Sequence, residues 1–411
     1  MSSSSSTAPS GLRADAGVIG LVGLGHLISH FSQLLLAPLF PWLKDAFEVS
    51  YAQLGLLMTL FFVVSCAMQA ASGFLVDRYG PRAMLFTGLA LISLAAFGMA
   101  AATSYEMLAV CAVVAGTGNA VFHPVDFTLL NRKVSASRLG HAYSVHGLTG
   151  SLGWALAPAL LVPLTLAFSW RVALAAAGVL VLAVMAVLWW WRDQLSLPQR
   201  PRAEVAAPAA DDGSFDFLRI PSVWMCFLFF LLYAVVLSVV QAFAPEAARQ
   251  LHGVPVGLAA ACVTVYMVAS AGGIVLGGFL VADPQRCERI MAAGMGVAAL
   301  IALVVGFTSL PALAVPALFG AMGFAAGLAG PSRDLIVKRS TPDHATGRVY
   351  GVVYAGLDIG QALAAPIFGG LLDHQQYQGV WLGLVIFQGL LIFSAMNVRK
   401  VRRTARVPVG A

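Results

Sequence analysis

Apolar residues dominate this chain in long unbroken runs. They fall near residues 17–42, 51–76, 83–103, 105–130, 139–166, 170–191, 222–247, 255–281, 288–308, 310–337, 346–372 and 378–398. Each run is about 20 residues or longer, the length an α-helix needs to cross the apolar core of a bilayer. Only helices and closed barrels satisfy their backbone in lipid, and these runs are too long for barrel strands. The pattern predicts an all-α membrane protein with twelve transmembrane helices.

Composition agrees. Hydrophobic residues make up 59% of the 411 residues and charged ones 10%, and the mean hydropathy is +0.85. A soluble chain of this size needs far more charge to cover its surface. The net charge of +6 does not indicate a nucleic-acid partner, because the basic residues punctuate apolar runs instead of gathering on one face.

Their placement orients the chain. With the N-terminus inside, 21 of the 24 Lys and Arg residues fall in inner segments, and Lys44, Arg171 and Arg249 fall outside. The positive-inside rule then places both termini in the cytoplasm and supports an even number of spans. The longest polar connection, 192–221, contains Pro198, Pro201, Pro208, Asp211, Asp212 and Gly213 and reads as a linker. The expected plan is a disordered Ser-rich tail at 1–16, a six-helix bundle at 17–191, a cytoplasmic linker at 192–221, a second bundle at 222–398 and a basic tail at 399–411.

The two bundles carry related sequences. Gly116, Pro124, Arg132 and Gly140 recur as Gly323, Pro331, Arg339 and Gly347, and Ala120 is matched by Gly327, all at an offset of 207. Gly73-Phe74-Leu75-Val76 recurs as Gly278-Phe279-Leu280-Val281, and Ala157-Pro158 as Ala365-Pro366. Several matches in order argue for duplication. Two similar six-helix halves are the plan of a transporter whose site lies at their interface.

Between the second and third spans stands Gly73-Phe74-Leu75-Val76-Asp77-Arg78-Tyr79-Gly80-Pro81-Arg82. This closely resembles the signature of the major facilitator superfamily. The resemblance implies a major facilitator fold of two pseudo-symmetric six-helix bundles. It also implies a cytoplasmic latch of Gly73, Asp77, Arg78, Gly80 and Arg82, with Asp77 meeting the start of the eleventh span near Thr346 to Arg348. Asp126, near the inner end of the fourth span, is expected to join the latch by pairing with Arg78 or Arg82. The second copy, ending Ala282-Asp283, lacks the following basic residues, so the latch is expected to be asymmetric. Gly25-His26, His30-Phe31, Phe122-His123-Pro124 and Gly140-His141-Ala142-Tyr143-Ser144-Val145-His146-Gly147 resemble the fosmidomycin-resistance group of efflux proteins. The fourth span lacks the Arg that many proton-coupled drug antiporters of the superfamily carry there.

Polar residues at membrane depth are costly and mark candidate function. His26, His30 and Gln33 share one helical face, where imidazoles can carry protons or hold an anion. No carboxylate shares that face and no third metal ligand is evident, so no metal site or cofactor is expected. Asp358 is the one acid placed deep in a span, which suits reversible protonation. Gln361 lies one turn further. Asn119, His123, His146, Tyr233 and Gln241 complete the candidate pathway for substrate and protons, each also readable as an interhelical hydrogen bond. The five cysteines lie in or beside apolar runs without metal spacing and read as reduced.

The sequence therefore points to a secondary transporter of a small organic compound in a bacterial inner membrane, a proton-driven efflux antiporter acting as a monomer. Proton-coupled uptake of an organic anion is the alternative. A membrane enzyme is disfavoured, because no nucleophile motif, metal motif or nucleotide-binding loop is present.

Overall fold

The computed structural model describes residues 11–197, 221–280, 287–340 and 346–405. Fifteen α-helices occur among them. They are α1 (Leu12–Gln33), α2 (Phe40–Phe47), α3 (Tyr51–Tyr79), α4 (Pro81–Ala100), α5 (Tyr105–Asn119), α6 (Phe122–Lys133), α7 (Leu139–Ala167) and α8 (Trp170–Trp190), followed by α9 (Pro221–Ser238), α10 (Ala244–His252), α11 (Val256–Leu280), α12 (Cys287–Phe307), α13 (Ala314–Ser340), α14 (Thr346–Asp373) and α15 (Tyr377–Ala405). Eleven stretches are long and apolar enough to cross a membrane, and the shorter Ala314–Gly330 supplies the twelfth. The expected twelve-helix fold is thus present, with three spans each broken into two helices.

Proline sets the breaks. Pro124 has no N–H to give to the carbonyl of Ala120, four residues back. The chain turns there between α5 and α6, and the Ser72 hydroxyl of α3 donates to the freed Ala120 oxygen at 3.0 Å. A π-helical turn, Val239–Phe243, stands just before Pro245 and separates α9 from α10. Helix starts are capped as expected for Ser. Ser50 and Gln53 form a reciprocal capping box on α3, and Ser104 and Ser169 cap α5 and α8. Gly80 turns the chain between α3 and α4 at φ +85°, a conformation glycine adopts without strain.

In the first half α1 packs on α7, α4 on α8 and α5, and α3 on α5. In the second, α11 packs on α13, α9 on α14 and α15, and α12 on α13 and α15. The duplication is visible in how the helices approach. A Cβ on Gly116 of α5 would stand 2.4 Å from the Phe61 oxygen of α3, and one on Gly323 of α13 would stand 2.2 Å from the Tyr266 oxygen of α11. Small residues at such crossings let helices pack by close backbone contact in lipid. Lipid-facing surface is apolar, and Trp189, Trp190 and Trp191 lie exposed at the end of α8, where an aromatic belt sits at the membrane edge.

The halves meet through α3 against α14 and α7 against α11. Asp373 accepts from the Tyr51 N–H at 2.7 Å and the Ala52 N–H at 2.8 Å. Thr59 donates to the Ala362 oxygen at 2.7 Å, and Thr264 to the Ala155 oxygen at 3.0 Å. At the opposite end of α3, Asp77, Arg78 and Arg82 are exposed.

Gly323→Ala should lower the apparent melting temperature of the detergent-purified protein by several degrees. Its Cβ has no room, whereas Gly272→Ala in α11 meets nothing within 4 Å and should raise it slightly through helix propensity. Thermal melts followed by fluorescence separate the two. Equal shifts would show that the α11–α13 approach tolerates a methyl group.

Candidate functional site

Four histidines converge in the first half. α1 presents His26 and His30 one turn apart, and their rings lie 4.3 Å apart. α6 brings His123, whose ring is 5.4 Å from that of His26. α7 brings His146, stacked on His26 at 3.5 Å with an interplanar angle of 24°. Between them sits Asp126, one turn after His123 and 1% exposed. Its Oδ2 is 3.0 Å from His26 Nδ1 and 3.1 Å from His146 Nε2.

This pairing corrects the expectation that Asp126 joins the latch. The carboxylate lies on the face of α6 turned into the bundle, while Arg78 and Arg82 lie exposed at the helix ends. A buried carboxylate requires buried donors, and the imidazoles of α1 and α7 supply them. Arg82 instead bonds the Ser196 hydroxyl at 2.9 Å and approaches Asp193 to 3.9 Å, and Arg78 lies over the Tyr79 ring. The expected contact of Asp77 with Thr346 to Arg348 falls on residues whose side chains lie outside those described.

The expected absence of a third metal ligand also does not hold. One donor nitrogen from each of His26, His123 and His146 lies within 4.8 Å of the other two. The three come from separate helices, so spacing along one helix could not reveal them.

A second polar network continues from the cluster. Ser29 donates to Asn119 Oδ1 at 2.7 Å, and Asn119 donates to the Ser65 hydroxyl at 3.0 Å. Gln33 accepts from the Trp154 indole at 2.9 Å, and that indole packs on His30 at 4.2 Å. Nearer the Gly80 end, Asp15 is wholly buried and accepts from the Arg138 Nε and the Ser135 hydroxyl, each at 2.6 Å. That network went unread in the sequence. Its one signal was an acid just before the first apolar run.

The second half holds the remaining candidates apart from this cluster. Gln241 lies in the π-helical turn, and neither its amide oxygen nor its nitrogen finds a partner among the described residues. Gln361 Oε1 and the Ser238 hydroxyl are likewise buried without one. Tyr233 is half-buried on α9. Asp358 stands one turn before Ala362, on the face of α14 that meets α3, and makes no hydrogen bond or ion pair among the described residues. Gly73 of the signature meets nothing within 4 Å of a Cβ built on it. No helix approaches Gly73 closely among the described residues.

A model of the Major Facilitator Superfamily matches residues 22–364 and 286–410. The chain belongs to this superfamily. It is similar to the fosmidomycin resistance protein of Escherichia coli (strain K12), with 28% identity over 206 residues, covering 48% of this chain and 49% of that one. It is also similar to the hexuronate transporter of Bacillus subtilis (strain 168), with 21% identity covering 96% of each. The first match spans about half the length of the curated relative. Among solved structures, a bacterial homologue of the human lysosomal transporter Spinster, in an inward-facing and occupied conformation, superposes with a TM-score of 0.72. It is 17% identical and covers 96% of this chain and 98% of that one. This likeness shows the shared fold.

Removing the Asp126 carboxylate leaves buried imidazole N–H groups unpaired. Asp126→Ala should destabilise the first half by on the order of 3 kcal/mol, the usual cost of breaking a buried pair. Arg78→Gln with Arg82→Gln should cost little, because exposed pairs contribute about 0–1 kcal/mol. Melting curves in detergent compare them. A larger loss from the arginine variants would restore the latch pairing.

Proposed function

We propose that this protein is a secondary active transporter that exports a small organic compound from a bacterial cytoplasm in exchange for protons. The observation that carries this reading is the position of Asp358. The halves are hydrogen-bonded across one end, and Asp358 lies one turn, about 6 Å, to the inner side of that crossing without an ionic partner among the described residues. A carboxyl group so placed can take or lose a proton without breaking an ion pair.

Orientation supports the reading. The excess of Lys and Arg assigns the Gly80 end, the 192–221 linker and both termini to the cytoplasm, so the hydrogen-bonded end faces outward. The arrangement is then inward-open, and the latch of Gly73, Asp77, Arg78, Gly80 and Arg82 closes the inner side in the other state. Substrate binds between the halves. His30, His123 and Gln33 line the first half, and Tyr233, Gln241 and Gln361 line the second, where unsatisfied amide groups offer hydrogen bonds to a polar compound. The protein works as a monomer in the inner membrane.

The similarity to a fosmidomycin resistance protein supports export of an anionic or phosphonate-like compound. The match to a hexuronate transporter over nearly all of both chains supports a second reading, proton-coupled uptake of an organic acid.

Everted membrane vesicles with an acidic interior distinguish the two. Phosphonates and organic acids, hexuronates among them, are added outside or loaded inside while a pH dye follows the gradient. Export predicts that one compound added outside collapses the gradient with the wild type, and that Asp358→Asn reduces the proton flux at least 10-fold. Collapse only from the loaded side marks uptake. Full flux in Asp358→Asn removes that residue from coupling.

A further inference from the structure

We propose that His26, His123 and His146 form a binding site for a divalent transition-metal cation of the zinc, cobalt or nickel class. The inference stands on the geometry of the first half and does not depend on transport direction or coupling.

Three imidazole donors, on α1, α6 and α7, lie within 4.8 Å of one another. A tetrahedral site with metal–nitrogen bonds of 2.0–2.1 Å separates its donors by about 3.4 Å, so the donors draw together by about an ångström, and the stacked rings of His26 and His146 turn out of parallel to aim their in-plane lone pairs at one ion. Imidazole suits the borderline divalent metals, whereas calcium and magnesium take oxygen ligands.

Asp126 makes the set selective. In the metal-loaded site Asp126 is a carboxylate, which only accepts hydrogen bonds, so His26 Nδ1 and His146 Nε2, both facing its Oδ2, then carry hydrogen. A neutral imidazole has one such hydrogen, which leaves lone pairs on His26 Nε2 and His146 Nδ1. A carboxylate that fixes the tautomer and orientation of a ligating histidine is the usual outer support of a protein metal site. Here one carboxylate orients two rings and adds negative charge against the dication.

Gly150 of α7 marks the space. A Cβ there would stand 3.1 Å from His26 Nε2 and 2.9 Å from His30 Nδ1. These two nitrogens therefore border the same small volume, and His30 Nδ1 is shielded from solvent. His30 is placed to give the fourth bond. His30 and His123 are only half-buried, which gives an ion a way in.

The test uses the full chain purified in detergent without a polyhistidine tag, stripped with a chelator and titrated with cobalt chloride. Visible absorption reports coordination. The proposal expects one cobalt ion per chain with the intense bands of a tetrahedral nitrogen-rich site, displaced by zinc chloride. His26→Ala, His123→Ala and His146→Ala should each weaken binding at least 10-fold, Asp126→Asn 10–100-fold, and Gly150→Ala should weaken it by filling the space. His141→Ala and His252→Ala should leave it unchanged. Size-exclusion profiles verify folding, and His123→Gln replaces any alanine variant that aggregates. Wild type that titrates like the protein carrying His26→Ala, His123→Ala and His146→Ala together overturns the site, and so does binding lost in His141→Ala or His252→Ala.

Discussion

Inside an apolar bundle, a polar atom that gives up water must find its partner in the protein, and most of this structure answers that demand. The prolines show it most directly. Each proline within a helix strips a donor from the carbonyl four residues earlier, and at Pro124 and Pro366 a neighbouring hydroxyl fills the gap. Ser72 does so for Ala120 beneath Pro124. Thr59 does so for Ala362 beneath Pro366, and there the hydroxyl belongs to the other half of the molecule. Thr264, the counterpart of Thr59 at the repeat offset of 205 seen for Gly73 and Gly278, reaches back to Ala155 close to Pro158. At Pro366 helix distortion and half-to-half contact thus have one origin.

The same demand organises the buried side chains, unequally in the two halves. The first half is largely self-satisfied. Asp126 is held by two imidazoles, Asn119 bridges two serines, and Asp15 is held by Arg138 and Ser135. The second half leaves Gln241, Gln361 and Ser238 with unsatisfied buried atoms. Leaving such atoms unpaired costs about 1–3 kcal/mol each, which a polar compound at the interface would recover. A rigid polar cluster therefore faces a half whose hydrogen-bonding capacity is still to be filled.

Much of this was legible in the sequence. Span number follows from run length, which depends on local chemistry, whereas the helix breaks at Pro124 and Pro245 emerge only in the structure. The pairing of His26 with His30 follows from helical spacing, and the structure places them together. The partner of Asp126 was misread because two arginines near a conserved-looking turn offered an obvious cation, while the real donors lie 100 residues before it and 20 after it. The three-residue step from His123 to Asp126 was the available signal, since it sets both on one helical face. Asp373 left no such trace. It ends one helix, and its task is to cap another 322 residues away.

The character of the crossing between the halves bears on how the molecule can move. Asp373 caps the start of α3, and Thr59 and Thr264 bond carbonyls, so these crossings are hydrogen bonds directed at the backbone. The helix N-terminal N–H groups of Tyr51 and Ala52 are groups that water can serve when the halves part. Each such bond contributes only about 0.5–1.5 kcal/mol net, somewhat more where a carboxylate accepts. Three crossings of this kind hold one state over another by a few kilocalories, the range in which a ligand's differential affinity can reverse a conformational equilibrium. A buried ion pair across the same boundary would strand two charges on opening. Hydrogen bonds to the backbone leave the two halves joined but separable.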